Sequence, residues 1–414
     1  MLFLLVLKNM QNLIKTILGS LEVTSGCTEP AAIAFCASFI GKYLDETPVK
    51  IALAIDQRTY KNAFAAGIPG GGDRRGAEWA LVFGLVMACP ENRLSIFAGL
   101  DADALAQADQ LHAIGLVTVE LIDTEGLLIH ISARGKNNNV EARIRSGHTR
   151  VDLLEVNGEA VVFEGAREEQ IKTKDAFGEE LFDPENWPAV IDELYQDSEL
   201  QQTIRQGIAY NMAAALHGKK YVEAVNSGLE NLVMGAIYAR MNGDPIPVMS
   251  CAGSGNKGLT CMVPVVAKAR ESTMGEEKEI RAVLMSVLLT NLITSRFGEV
   301  SSVCGAQYAA GAGVIGGILY LKERLDLFDG SYNNFVSAIG GGFCDGAKGS
   351  CSMRGNVAVS AAFNAITHAQ AGFTVSARDG FLGNNFKETL EHLSRYNPLV
   401  ARFELETIKI LQDK

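Results

Sequence analysis

Between Leu116 and Phe163 the chain reads Val117-Thr-Val-Glu-Leu-Ile122, Leu127-Leu-Ile-His-Ile131, Val140-Glu-Ala-Arg-Ile-Arg145 and Val151-Asp-Leu-Leu-Glu-Val156, separated by turns containing Gly or Asn. Residues that alternate in this way point to opposite faces of a strand, so the stretch predicts an antiparallel meander. Upstream, Lys50 to Gln57 alternates likewise. Helices are expected over Gln11–Leu18, from Pro30 to Leu44, and over about Arg75–Ala88 and Asp101–Ile114. Downstream, Glu164 to Pro188 is charged, broken by Pro184 and Pro188, and reads as a linker. Beyond it the pattern is helical over about Ala189–Leu216, Tyr221–Met241, Gly258–Arg270, Glu277–Arg296, Gln307–Arg324, Asn356–Ala371 and Lys387–Gln412. The fold class expected is α+β: a small antiparallel-sheet α+β domain plus a larger all-α helical domain. The domain bounds expected are residues 1–45 (N-terminal helices packing with the third domain), 46–185 (the α+β domain with the meander) and 186–414 (the all-α domain).

At 48% hydrophobic and 21% charged, the 414 residues exclude wholesale disorder, a collagen-like repeat and a coiled-coil rod. The net charge of -11 argues against a nucleic-acid or anionic-membrane surface, because a phosphate binder normally presents a basic face. Eight cysteines fall far short of the density of a secreted disulfide scaffold, so free thiols and a cytoplasmic location are expected. The apolar run Met1–Leu7 has no basic residue before it and no small-residue cleavage site after it, unlike a signal peptide. The first nine residues are either a packed extension or a gene-start artefact. Gly305–Leu321 is rich in Gly and Ala and is expected as a buried core helix, since a membrane span needs about 20 strongly apolar residues. The partners expected are small molecules and a second copy of the chain as a homodimer, with no nucleic acid and no membrane.

Three cysteines fall at glycine-rich breaks between helices: Cys304 before Gly305, Cys344 in Gly340-Gly-Gly-Phe-Cys344-Asp-Gly346, and Cys351 in Lys348-Gly-Ser-Cys351. Flanking glycines let backbone approach closely and leave N–H groups for sulfur, which suits metal-bound thiolates. There is no CxxC pair and no histidine nearby in sequence, so a closed zinc site is poorly supported. Three thiolates instead suit an iron-sulfur cluster with one open iron. Cys36 and Cys89 are expected in the core, and Cys261 is open to either reading. Ser250-Cys-Ala-Gly-Ser254-Gly255-Asn256-Lys257-Gly258 runs into a helix whose free N–H groups favour a carboxylate or phosphate. Gly67-Ile-Pro-Gly-Gly-Gly-Asp73 matches neither a Walker A loop nor a dinucleotide fingerprint. Cys27 stands just before the helix opened by Pro30, where a helix dipole should lower its pKa and favour thiolate.

Gly26-Cys27-Thr28-Glu29-Pro30, the Ile68-Pro69-Gly70 loop, Cys251-Ala-Gly-Ser-Gly-Asn256 and the three late cysteines together resemble the L-cysteine desulfidase family, relatives of the iron-sulfur L-serine dehydratases. The resemblance covers nearly the whole chain. It implies a 4Fe-4S cluster held by Cys304, Cys344 and Cys351, which would make residues 186–414 the cluster-binding catalytic part. The reaction it implies is β-elimination of L-cysteine to pyruvate, ammonia and hydrogen sulfide. The small molecule it implies is a small amino-acid substrate; Cys27 would transfer the proton, and Ser254, Gly255, Asn256 and Lys257 would bind substrate. Cys251 and Cys261 remain alternative third ligands. Three rivals stand beside this reading: L-serine dehydration on the same cluster, a pyridoxal-phosphate lyase using Lys257 as the Schiff-base lysine, and a non-catalytic amino-acid or redox sensor.

Overall fold

A computed structural model describes residues 2–124, 126–163, 176–225, 228–298 and 301–414. The strands are β1 (Val23–Ser25), β2 (Lys50–Asp56), β3 (Val117–Ile122), β4 (Leu128–Arg134), β5 (Asn139–Arg145), β6 (Val151–Val156), β7 (Glu159–Ala160) and β8 (Pro247–Met249). The fold is α+β: β2 to β7 form one sheet in the order β3-β2-β4-β5-β6-β7, and the larger remainder is helical. The expected meander holds only from β4 onward. β2 inserts between β3 and β4, pairing parallel with β3 and antiparallel with β4. The physical reason lies in burial. β2 buries Ile51, Leu53 and Ile55 completely and suits an interior position, whereas β3 leaves Thr118 and Glu120 exposed and suits an edge. A parallel neighbour needs a crossover, which the helices Ala77–Met87 and Ala102–Ala113 supply.

The helix Thr28–Leu44 lies across the sheet and shares a core with Ile51, Leu53, Ile129, Ile131 and Ala142. It meets the helix Ala77–Met87 backbone to backbone. A Cβ at Gly41 would stand 2.1 Å from the Leu85 carbonyl, and one at Gly84 would stand 2.2 Å from that of Ala34. Only glycine permits that approach.

In the helical part, Glu276–Phe297 and Gly305–Leu321 pack together at the centre of the second core. Glu276–Phe297 is long and apolar enough to cross a membrane, yet 83% of its apolar window is buried inside the protein. Several expected boundaries shift. The segment 189–216 is two helices, Trp187–Tyr195 and Ser198–Gly218, parted at Asp197, whose carboxylate caps the second by accepting from the Leu200 N–H. The helix expected from Tyr221 begins at Leu229, behind Gly228. Two helices were not expected at all. Gln57–Ala63 is capped by Asp56, and Phe328–Ile339 has many polar residues in its sequence but buries Phe328, Tyr332 and Phe335. The expected linker lies partly outside the described residues. Its described end is not loose: Trp187 is fully buried against Phe328 and Phe386, and its indole donates to the Leu181 carbonyl at 2.8 Å.

The C-terminal helix Phe386–Gln412 returns to the first half of the chain through one buried carboxylate. Glu404 receives Lys61 Nζ and Arg58 Nε, each at 2.7 Å, and the Ser302 hydroxyl at 2.7 Å. Lys61 is itself completely buried and also donates to the Cys344 carbonyl at 2.9 Å. Burial alone would raise the Glu404 pKa, but Lys61, Ser302 and Arg58 overcome it and hold the carboxyl below its usual range. Glu404→Gln leaves Lys61 without its counter-charge, so an unfolding free-energy loss of about 3–5 kcal/mol is expected by denaturant titration. A carboxyl with a depressed native pKa stabilises above its unfolded pKa, so the wild-type advantage should fade as pH falls through the acid range. Equal stability of the two proteins at neutral pH would contradict the anchoring role.

A candidate active site between sheet and helical bundle

The site begins with a two-stranded ribbon. β1 pairs antiparallel with β8, Val23 opposite Met249 and Ser25 opposite Pro247, and the Ser250 and Ala252 N–H groups donate to the Glu22 and Ser20 carbonyls. This sets Gly26-Cys27-Thr28-Glu29 beside the turn that opens the helix Gly255–Glu271. Gly26 has φ +76°, and a Cβ there would meet the Pro69 ring at 2.3 Å, so glycine serves both the turn and the close approach. The glycine loop is docked in its turn: Gly67 and Gly70 N–H donate to the Met241 and Gly243 carbonyls. Its glycines thus serve packing, next to Arg240.

Cys27 is buried at the N-cap of the helix Thr28–Leu44. Its thiol donates to Glu29 Oε2 at 3.1 Å. The expected low pKa is corrected here. Burial, and then the Glu29 carboxylate, push the thiol well above its ordinary value; Arg240 opposes them without prevailing. Position at a helix N-terminus is outweighed by desolvation and a neighbouring negative charge. Glu29 is the reverse case. Burial would raise it, but the nearby His148, the Cys27 thiol and Asn62 together draw it below the carboxylate range. Asn62 Nδ2 donates to Glu29 Oε1 at 2.8 Å, and its other end, Oδ1, accepts from the Cys344 thiol at 3.7 Å. A continuous chain Cys27–Glu29–Asn62–Cys344 therefore joins the first turn of one helix to the glycine loop of the other half.

The late cysteines are drawn together by an isolated bridge between Val303 and Phe343, with the Cys304 N–H on the Gly342 carbonyl and the Cys344 N–H on that of Ser302. Cys304 caps the helix Gly305–Leu321, and Cys351 begins the helix Cys351–Gln370. Burial pushes the Cys304 thiol up to about 12, and the Cys344 and Cys351 sulfurs add to the rise. Half-buried Arg354 interacts electrostatically with all three. Among the described residues no group of three His, Cys, Asp or Glu side chains is arranged to hold a metal ion, as a zinc site would be. The donor chemistry suits a soft metal cluster rather than a single ion. Three soft sulfurs, two at helix N-termini, share one guanidinium.

Cys251 and Cys261 lie elsewhere. Both are fully buried in the helical core, where Cys251 adds to the burial that raises the Cys261 thiol, and Asn291 Nδ2 donates to Cys251 at 3.5 Å. Cys36 is also buried, but Cys89, expected in the core, is exposed. Ser254 N-caps the helix Gly255–Glu271 after a tight turn with Ala252 and Gly253 at positive φ. Lys257 is buried with its stem against Gly305, next to Cys304, and Nζ donates to Thr294 Oγ1 at 3.4 Å. Asn256 accepts from Arg240 Nη1 at 2.9 Å.

Sequence reasoning overlooked Glu29 as more than a capping residue, along with Asn62, His148, Arg240 and Arg354. A signal existed for Arg240, a cation inside the otherwise apolar Met234–Met241 run. His148 sits in a strand turn, and nothing local marks it.

The chain matches the sequence model of the serine dehydratase alpha chain over residues 138–400. It is 30% identical to a UPF0597 protein of Geobacter sulfurreducens over 89% of its own length and 90% of that protein's. It is 31% identical to one from Clostridium tetani over the same shares, and 30% identical to one from Desulfotalea psychrophila over 94% and 95%.

In metal-free native protein treated with limiting iodoacetamide near neutral pH, Cys89, Cys344 and Cys351 should be alkylated ahead of Cys27, Cys304, Cys36, Cys251 and Cys261. Peptide mass mapping reads the order. Early modification of Cys27 would mean that its thiol is ionised and reachable, against the burial found here.

Proposed function

Because the chain belongs to the serine dehydratase alpha chain family, we propose that it is a lyase that eliminates the β-substituent of L-cysteine, yielding pyruvate, ammonia and hydrogen sulfide. The observation that carries this reading is the chain Cys27–Glu29–Asn62–Cys344, which ties a thiol–carboxylate pair to the cysteine triad. In this reading Cys304, Cys344 and Cys351 hold a 4Fe-4S cluster, which supplies a Lewis-acidic iron to the substrate's β-substituent.

Cys27 is the proton-transfer residue. Glu29 accepts the thiol proton as the Cys27 sulfur takes the substrate α-proton, so the pair gains one proton overall. The Cα–H electron pair becomes the Cα=Cβ bond, and the Cβ–S bond breaks with its electrons on sulfur. The leaving sulfide takes up the proton. The freed aminoacrylate tautomerises to an imine, and water hydrolyses it to pyruvate and ammonia. Asn62 holds Glu29 in place, and His148 keeps it ionised.

Elimination of a thiol is favoured over that of a hydroxyl for a physical reason. Hydrosulfide, the conjugate base of a much stronger acid than water, leaves carbon as its anion far more readily than hydroxide does. L-serine is therefore expected to be the poorer substrate.

Protein purified without oxygen should carry about four irons and four sulfides per chain, lost together in Cys344→Ala. Cys27→Ser and Glu29→Gln should keep that content while kcat for pyruvate formation falls by about 10²–10⁴. Absence of iron in anaerobic protein would sink the cluster reading, and full activity of Cys27→Ser would remove Cys27 from proton transfer.

A further inference from the structure

Arg240, in the last turn of the helix Leu229–Asn242, is only 1% exposed. Its Nη1 donates to Asn256 Oδ1 at 2.9 Å, while Nε and Nη2, both buried, have no hydrogen-bond partner. Those two nitrogens lie on one edge of the planar guanidinium. Their N–H groups form the fork that takes a carboxylate through two parallel bonds. A buried charge whose donors go unused is costly unless something fills them. The Cys27 and Cys351 sulfurs and Glu29 are near enough to act on Arg240 electrostatically, but none bonds to the fork. The room for the guanidinium is built in: a Cβ at Gly255 would stand 2.5 Å from Nε and 2.8 Å from Nη2. Gly255 and Asn256, expected to bind substrate, also shape and steer Arg240.

We propose that the Nε/Nη2 fork of Arg240 is the α-carboxylate subsite for a small α-amino acid. Cys27, Glu29 and Cys351, which all act on Arg240 electrostatically, put this subsite in the neighbourhood of both the α-proton acceptor and the triad. A carboxylate there completes the two open donors and fixes the Cα–H by its distance from the fork. This assignment rests on the elimination reading for its substrate, but the fork itself is a feature of the fold.

The test separates the two. L-alanine, which lacks a leaving group, and L-alaninamide, which lacks the carboxylate, are titrated calorimetrically into anaerobic holoenzyme. Wild type should prefer alanine; Arg240→Met should lose that preference by about thirtyfold or more, at unchanged iron content. Arg240→Lys, which keeps a cation without the fork, should recover only part, and it decides the matter if Arg240→Met does not fold. Preference retained in both variants, or no alanine binding by wild type at millimolar concentration, overturns the subsite. Alanine binding that depends on Arg240, with no pyruvate from L-cysteine, upholds the subsite and sinks the elimination reading.

Discussion

Two strands of three residues each, β1 and β8, hold the molecule's chemistry together. Their pairing crosses from the N-terminal segment to the middle of the chain and fixes Gly26-Cys27 against the turn before Gly255–Glu271. That register sets Cys27 and Glu29, on a helix of the sheet unit, beside Arg240 and Asn256, on helices of the bundle, and the Gly67 and Gly70 N–H bonds to the Met241 and Gly243 carbonyls reinforce it. So short a ribbon is weak alone. It persists because both flanks are buried: the helix Thr28–Leu44 in the sheet's core, and Met249 and Cys251 in the bundle's core.

Around that ribbon the fold buries several charges. Glu29, Arg240, Lys61 and Glu404 are each less than a tenth exposed. They are handled in different ways. Lys61 and Glu404 neutralise one another with direct contact and a full set of hydrogen bonds, and so serve as a fastener for the C-terminal helix over the cysteine loop. Glu29 is satisfied by a thiol and an amide, and Arg240 only in part. A charge left part-satisfied inside a protein marks the place where the structure does something other than hold itself together.

The sequence carried much of this, and its failures have physical causes. Strand alternation located β4, β5 and β6 closely, because each has one buried face. It could not show β2 slipping between β3 and β4, since pairing order is a matter of which strand is apolar enough for the interior. Phe328–Ile339 was missed because its buried asparagines and serine break the apolar period. The cysteines at Cys304, Cys344 and Cys351 were legible as a set because glycine turns flank each of them. The place of Cys27 just before a helix was legible but not its protonation, which depends on burial and on Glu29 contributing a charge rather than a cap. Asn62 and His148 come from separate segments, and only the tertiary structure brings them to Glu29.

The central claim is that the thiol–carboxylate pair and the cysteine triad work on one amino acid. Simultaneous measurement of pyruvate and sulfide released from L-cysteine by anaerobically purified protein tests it most directly. The account predicts equal amounts of the two products, both abolished in Cys344→Ala and retained in part in Lys257→Ala. Turnover that survives Cys344→Ala, requires added pyridoxal phosphate and disappears in Lys257→Ala would contradict it.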